Sequence, residues 1–319
     1  MLAALALVVS GNHLVNGAGK TVRLLGVDRS GLEYACVQGW GFSDGPTDDA
    51  SIAAMKTWGI DAVRVSLNED CWLGINGVKP QYGGPAYRSF VVGYVRRLNA
   101  AGLTAILDLH WNAPGTEQAR GQQQLPDEDH SPAFWHSVAL TFRSDRNMVF
   151  DLYNEPHDVT WSCWRNGCGP WAGMQQLVNA VRSAGARQPL MLGGLAWSND
   201  LSEWLKWRPR DPLHQLVASF HLYNFNACDT VACWNATVAP VAAEVPVVTG
   251  ELGENDCASS FTDTYMPWAD EHGVSYLGWA WDTWDCKSGP ALIAGYDGTP
   301  TAFGAGLRAH LLSLQRSRH

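Results

Sequence analysis

Residues 87–109 read YRSFVVGYVRRLNAAGLTAILDL. Over Tyr87–Ala101 the apolar side chains Phe90, Val91, Tyr94, Val95 and Leu98 recur at helical spacing, which predicts an amphipathic helix. Thr104–Leu109 is then a nearly continuous apolar run, the pattern of a strand buried on both faces of a parallel sheet. The same alternation extends in both directions. Upstream, a helix pattern over Asp48–Trp58 precedes a strand over Ala62–Leu67. Downstream come a helix at Pro132–Phe142, with a proline at its start, a strand at Met148–Tyr153, a helix at Trp171–Ser183 and a strand at Leu190–Gly193. A short helix at Asp200–Lys206, a strand at Leu216–His221, a weak helix at Val238–Ala243 and a strand at Val247–Gly250 follow. Thr262–His272, Ser275–Trp279 and Ala302–Leu314 close the series as helix, strand and helix. At the start, Leu5–Ser10 and Thr21–Gly26 flank Asn16-Gly17-Ala18-Gly19, read as a hairpin leading into the first core strand. Eight strands alternating with eight helices imply parallel pairing through right-handed crossovers. In 319 residues the expected fold is α/β, a single (β/α)8 TIM barrel over 1–319 with an N-terminal hairpin. An open doubly wound sheet is disfavoured, because no G-x-G-x-x-G follows the first strand. No linker, low-complexity tract or second domain is visible.

Composition narrows the function. Lys plus Arg is 22 and Asp plus Glu is 31, a net charge of −9, so a basic stripe for nucleic acid is missing. An apolar fraction of 46% against 17% charged excludes intrinsic disorder. No apolar run reaches the roughly 18 residues of a membrane span. Leu2–Val9 is short and lacks a basic flank, so it is not read as a signal peptide. The 16 Trp serve either a large core or stacking on flat apolar faces such as those of sugar rings.

The cysteines are Cys36, Cys71, Cys163, Cys168, Cys228, Cys233, Cys257 and Cys286, an even set that fits a disulfide framework and an oxidising, extracellular compartment. Cys163/Cys168 and Cys228/Cys233 are local pairs, too widely spaced for a zinc ribbon. Cys36 and Cys71 follow the first two strands, and Cys257 and Cys286 the last two. Neighbouring loops of a barrel bring such pairs within disulfide reach.

In a barrel of this kind the active site lies at the C-terminal strand ends. Strand two carries Arg64, strand three ends Asp108-Leu109-His110-Trp111, and strand four ends Tyr153-Asn154-Glu155-Pro156. Strand six ends at His221 and Tyr223, strand seven at Glu251, and strand eight at Trp279-Ala280-Trp281. Glu155 and Glu251 therefore meet at one mouth, which is the equipment of glycoside hydrolysis: one acid for the leaving oxygen, one carboxylate for the anomeric carbon or a water. Each residue also has a plainer explanation. Arg64 could be a paired structural arginine, His221 a satisfied core histidine, Tyr223 aromatic filler. Asp108-x-His110 could bind metal, but a metal barrel usually adds H-x-H and further histidines, and no metal or other cofactor is expected here. The joint placement on separate strand ends carries the weight. Nine tryptophans (Trp40, Trp72, Trp111, Trp161, Trp164, Trp197, Trp234, Trp281, Trp284) also fall at or just past strand ends, while Trp279 falls inside a strand.

In these motifs, over nearly all of Thr21–Leu312, the chain resembles glycoside hydrolase family 5, the cellulase-like (β/α)8 retaining glycosidases. The resemblance implies Glu155 as acid/base and Glu251 as nucleophile, with Arg64 and Tyr223 holding Glu251. It implies Arg64, His110, Trp111, Asn154, His221, Tyr223 and Trp281 as substrate-binding residues, with Trp281 as the platform under the reacting sugar. The stretches Leu107–Trp111 and Gly278–Trp281 are similar to the bacterial endoglucanase branch. The expectation is a secreted, monomeric endo-β-1,4-glucanase whose partner is an oligo- or polysaccharide. Mannan, β-1,3-glucan or an exo-acting β-glycosidase are the alternatives. A catalytically dead carbohydrate-binding barrel would keep the fold without needing both glutamates. The long segments Gly31–Pro46, Asn112–Asp129 and Pro156–Pro170 depart from the family pattern and are expected to wall off one end of the groove, which bears against an open endo-acting cleft.

Overall fold

The computed structural model describes residues 6–286 and 289–316. Eight strands close into a barrel: β1 (Leu25–Arg29), β2 (Ala62–Asn68), β3 (Thr104–Trp111), β4 (Met148–Asp151), β5 (Leu190–Gly193), β6 (Leu216–Tyr223), β7 (Val247–Gly253) and β8 (Ser275–Gly278). Each pairs in parallel with its neighbours, and β8 returns to β1. The predicted helices surround them as Asp49–Lys56, Pro85–Ala100, Ser131–Phe142, Met174–Ser183, Trp204–Trp207, Ala239–Ala242, Ser260–Glu271 and Ala302–Arg316. Asp48 caps the first through its carboxylate on the Ser51 amide, 2.9 Å.

The start of the chain differs from expectation. Thr21–Val22 is not part of the first barrel strand; it pairs with His13–Val15, which pairs with Val8–Ser10, in a three-stranded antiparallel meander. Residues 2–5 of the expected N-terminal segment lie outside the described residues. The meander has a structural task. Leu7, Leu14 and Leu24 pack with Ala62, Ile106, Val149, Met191, Val217, Val248 and Leu277, plugging the N-terminal end of the barrel with hydrocarbon.

Side chains two residues apart on a strand face the same way. One step above Ala62, Ile106, Val149 and Val217 therefore stand Arg64, Asp108, Asp151 and Ser219, all buried. The barrel thus changes from an apolar floor to a charged layer within one repeat of each strand. On its outside, the helices pack against the strands in one continuous apolar shell.

All four expected disulfides form, Cys36–Cys71, Cys163–Cys168, Cys228–Cys233 and Cys257–Cys286, with Cα separations of 6.0, 5.2, 5.4 and 5.3 Å. Each ties segments on the mouth side. Short helices missed by periodicity also sit there, among them Glu69–Leu73 and Trp161–Asn166, too brief to show a repeating apolar face.

Candidate active site

Arg64 is the hub. Its Nε donates to Asp151 at 2.8 Å, Nη1 to Asp28 at 3.0 Å and to Glu251 at 2.9 Å, and Nη2 to Asn154 Oδ1 at 2.9 Å. Asp108 lies 3.1 Å from Nη2. One guanidinium cannot hold four buried carboxylates ionised. Burial accordingly pushes Asp28 well above the usual carboxylate range and Asp151 up to about 8, despite the Arg64 charge beside both.

Glu251 projects from an irregularity in β7, where the register with β6 shifts between Thr249 and Glu251. Gly250 makes that shift possible, since a Cβ there would come within 2.9 Å of His221 Nε2. Tyr223 donates its hydroxyl to the second Glu251 oxygen at 2.6 Å. Burial, then the charges of Glu251 and Glu155, keep the Tyr223 phenol protonated and thus a donor.

Glu155 lies past the end of β4 with a left-handed φ of 51°, a conformation costly for a residue with a side chain. Its side chain is 18% exposed, against 5% for Glu251. Burial is the main cause that pushes the Glu155 carboxyl up to about 7, with Asp108 adding to it and His110 and Arg64 opposing. His221 sits between the two glutamates, its Nδ1 3.1 Å from Glu155 and 3.7 Å from Glu251. Burial lowers His221 to about 4, so the neutral ring can donate Nδ1–H to Glu155. Oxygens of Glu155 and Glu251 and a nitrogen of His221 all lie within 4.8 Å of one another.

His110 has the opposite character. Burial alone would lower it, but the Asp108 carboxylate 2.6 Å from Nδ1 overrides that and raises it to about 9. Its ring stacks on Trp279, centroids 5.4 Å apart and 13° from parallel.

The glutamates open into a cleft of about 610 Å³ whose walls include Trp197, Tyr223, Phe225, Trp279 and Trp284. A larger hollow of about 1090 Å³ lies at the opposite end of the barrel beside Val9 and Leu216 and contains neither glutamate. Trp197 stacks on His157 at 3.7 Å and remains 45% exposed; Phe225, stacked on Tyr223, is 61% exposed.

A family model described as Cellulase (glycosyl hydrolase family 5) matches residues 15–285. The chain belongs to glycosyl hydrolase family 5. Among curated relatives of this family 5 chain, the manganese-dependent endoglucanase Eg5A of Phanerodontia chrysosporium is 29% identical over 194 residues, covering 57% of this chain and 46% of that protein. A mannan endo-1,4-beta-mannosidase of Cellvibrio japonicus is 26% identical over 283 residues, covering 86% and 58%. The chain thus spans about half the length of the curated relatives it matches. The beta-glucanase SdGluc5_26A of Saccharophagus degradans, solved with cellotetraose, superposes with a TM-score of 0.77 at 19% identity, over 99% of this chain and 96% of that one.

Of the family 5 residues expected from sequence, the structure gathers Arg64, His110, Asn154, Glu155, His221, Tyr223 and Glu251. One tryptophan is corrected. Trp281 is fully buried, edge-on to Trp58 at 4.9 Å, and does not face the cleft. Strand β8 ends at Gly278, one residue earlier than expected, so Trp279 is the residue that emerges at the mouth. Trp111 ends β3 beside Tyr34, 6.2 Å between rings, and is not among the cleft-lining residues. Trp72, Trp164 and Trp234, also assigned to the mouth from sequence, are fully buried and bond to Ser137, Gly193 and Cys228; for them core packing is the explanation. Sequence reasoning missed Asp28, Asp151 and Gln122. The first two had a signal, a charge at an inward position of an apolar strand. Gln122, in a loop, had none.

Proposed function

We propose that the chain is a secreted retaining β-glycosidase that cleaves β-1,4-glucan from within. The observation that carries the reading is the pair Glu155 and Glu251, with carboxylate oxygens within 4.8 Å and unlike surroundings. Retaining enzymes hold their carboxyl groups about 5–5.5 Å apart, whereas inverting ones leave about 6.5–9.5 Å for a water. Glu155, raised to about 7, carries the proton for the glycosidic oxygen. Glu251, its two oxygens fixed by Arg64 and Tyr223, attacks the anomeric carbon as the bond to the leaving oxygen breaks, giving a glycosyl ester. Glu155, now a carboxylate, takes a proton from water, whose oxygen attacks the same carbon and frees Glu251. Asn154 is placed for the sugar 2-hydroxyl and Trp279 for the apolar face of the ring.

The exposed Trp197 and Phe225 support a groove that accepts several sugar units rather than one. The names of the relatives favour glucan first and mannan second. The disulfides favour secretion. Hydrolysis of a soluble β-1,4-glucan followed by NMR of the first-formed anomer tests the reading. A β product confirms retention, an α product or no turnover of any β-glycan overturns it, and faster release from mannan reassigns the substrate.

A further inference from the structure

Gln122 lies in the segment between β3 and the helix Ser131–Phe142, with no sequence motif around it to suggest a role. Its side-chain amide makes three bonds to the end of β4. Nε2 donates to the carbonyls of Asn154 at 2.7 Å and Glu155 at 2.8 Å, and Oε1 accepts from Asn154 Nδ2 at 2.5 Å.

The polarity of this contact is fixed from the barrel interior. Arg64 has only donors, so Asn154 must turn Oδ1 toward it, which sends Nδ2 outward. Nδ2 requires an acceptor, so Gln122 presents Oε1 and leaves both Nε2 hydrogens for the two carbonyls. Those carbonyls need them. Strand β4 ends at Asp151; beyond it the Leu152 and Asn154 amides still reach the Met191 and Leu109 carbonyls at 2.9 and 3.0 Å, while the carbonyls of Asn154 and Glu155 take their donors from Gln122. Glu155 also holds its left-handed backbone here, which persists only where surroundings enforce it.

The loop itself is fixed rather than free. Tyr153 Oη donates to the Gln123 carbonyl at 2.8 Å, the His157 amide to the Gln124 carbonyl at 3.1 Å, and Asn112 Nδ2 to the Leu125 carbonyl at 3.3 Å. Gln122 is therefore presented from a rigid segment to the general acid Glu155 and to Asn154 before it.

We propose that Gln122 is the positioning residue of the general acid, setting the backbone from which Glu155 reaches the glycosidic oxygen. The proposal rests on the glycosidase reading above. Gln122→Met keeps the length of the side chain and removes all three bonds. A cello-oligosaccharide needs a proton on its leaving oxygen, and dinitrophenyl β-cellobioside does not. The variant is expected to lose about 30- to 100-fold in kcat/KM on the oligosaccharide and under about 3-fold on the aryl glycoside, with the alkaline limb of the oligosaccharide pH profile displaced. Gln122→Glu, which replaces the donating Nε2 with oxygen, gives the same split if Gln122→Met fails to fold. Equal losses on both substrates, or wild-type rates on both, overturn the proposal. A wild-type enzyme that turns over neither substrate overturns the glycosidase reading instead.

Discussion

At the N-terminal end of the barrel, Ala62, Ile106, Val149 and Val217 close around Leu7 and Leu14. Two residues further along the same strands stand Arg64, Asp108, Asp151 and Ser219, beneath the glutamates. The lower ring excludes water and gains from doing so. The upper layer inherits that dry floor, where four carboxylates around one guanidinium are costly to hold. The two levels teach a division of labour: the floor carries stability, and the packing around the glutamates sets their chemistry. Burial raises Glu155 into the working range, and a wetter barrel would let it fall back.

The sharpest contrast lies in what each level loses when cut. Glu251→Gln removes the nucleophile from the upper level and is expected to lower kcat/KM about 10⁴-fold or more on every substrate, with the fold intact. Glu155→Ala should spare kcat/KM on aryl glycosides with activated leaving groups, which need no protonation. Circular dichroism beside the kinetics checks both; equal loss on activated and unactivated substrates would remove Glu155 from the acid role.

Below, the sign reverses. Leu14→Ala in the plug is expected to cost about 2–5 kcal/mol of stability, and Trp281→Ala, buried not in the floor but in the outer apolar shell against Trp58, about 3–5 kcal/mol. Both variants should keep kcat/KM of the folded fraction within about 3-fold. Denaturant titration and active-site counting separate the two quantities. A large fall in kcat/KM for Leu14→Ala would break the division between floor and mouth.

Between these extremes lies a variant that loses activity and gains stability. Glu155 ionises near 7 in the folded chain against an ordinary 4.5, so the folded state binds its proton more tightly than the unfolded state. Stability contributed by this group is full below pH 4.5 and is lost as pH rises through 7. Gln cannot ionise. Glu155→Gln should therefore be more stable than wild type above neutrality, by on the order of 1–3 kcal/mol, and should converge with it in acid. In wild type, kcat/KM on unactivated glycans should decline as pH rises past about 7, as Glu155 loses the proton it donates. Thermal melts from pH 4 to 9 on both proteins test the linkage, and parallel curves would contradict it.

How much of this was legible depended on where a residue's position was determined. Leu190–Gly193 is a strand with the expected bounds because its apolar run is buried on both faces. Thr21–Gly26 looked similar, yet its first residues pair with the meander; two neighbouring apolar runs do not reveal which sheet each joins. Arg64, His110 and His221 were readable since inward positions at strand ends follow from alternation, whereas Glu251 was readable only as the residue ending its strand, because the register shift after Thr249 breaks the alternation. Trp279 and Trp281 were exchanged by the ending of one strand at Gly278, a boundary set by tertiary contacts rather than by composition. Gln122 reaches Asn154 across 32 positions of chain, and nothing local encodes that meeting.

The exchange of the two tryptophans yields the smallest of the expected effects. Trp279 lines the cleft and stacks on His110, whose charge is kept by Asp108. A cation held against one part of the indole restrains the ring without covering the face a pyranose would use. Truncating it should remove contact with the reacting sugar while leaving the barrel floor and the Arg64 network in place. Trp279→Ala is expected to lower kcat/KM about 10-fold, about 1.4 kcal/mol of transition-state binding, with a smaller change in melting temperature than Trp281→Ala. The paired measurement decides which ring is the platform. If Trp281→Ala instead lowers kcat/KM and Trp279→Ala leaves it unchanged, the sugar sits on the other side of the strand end, and the cleft geometry drawn from Trp279, Trp284 and Phe225 must be redrawn.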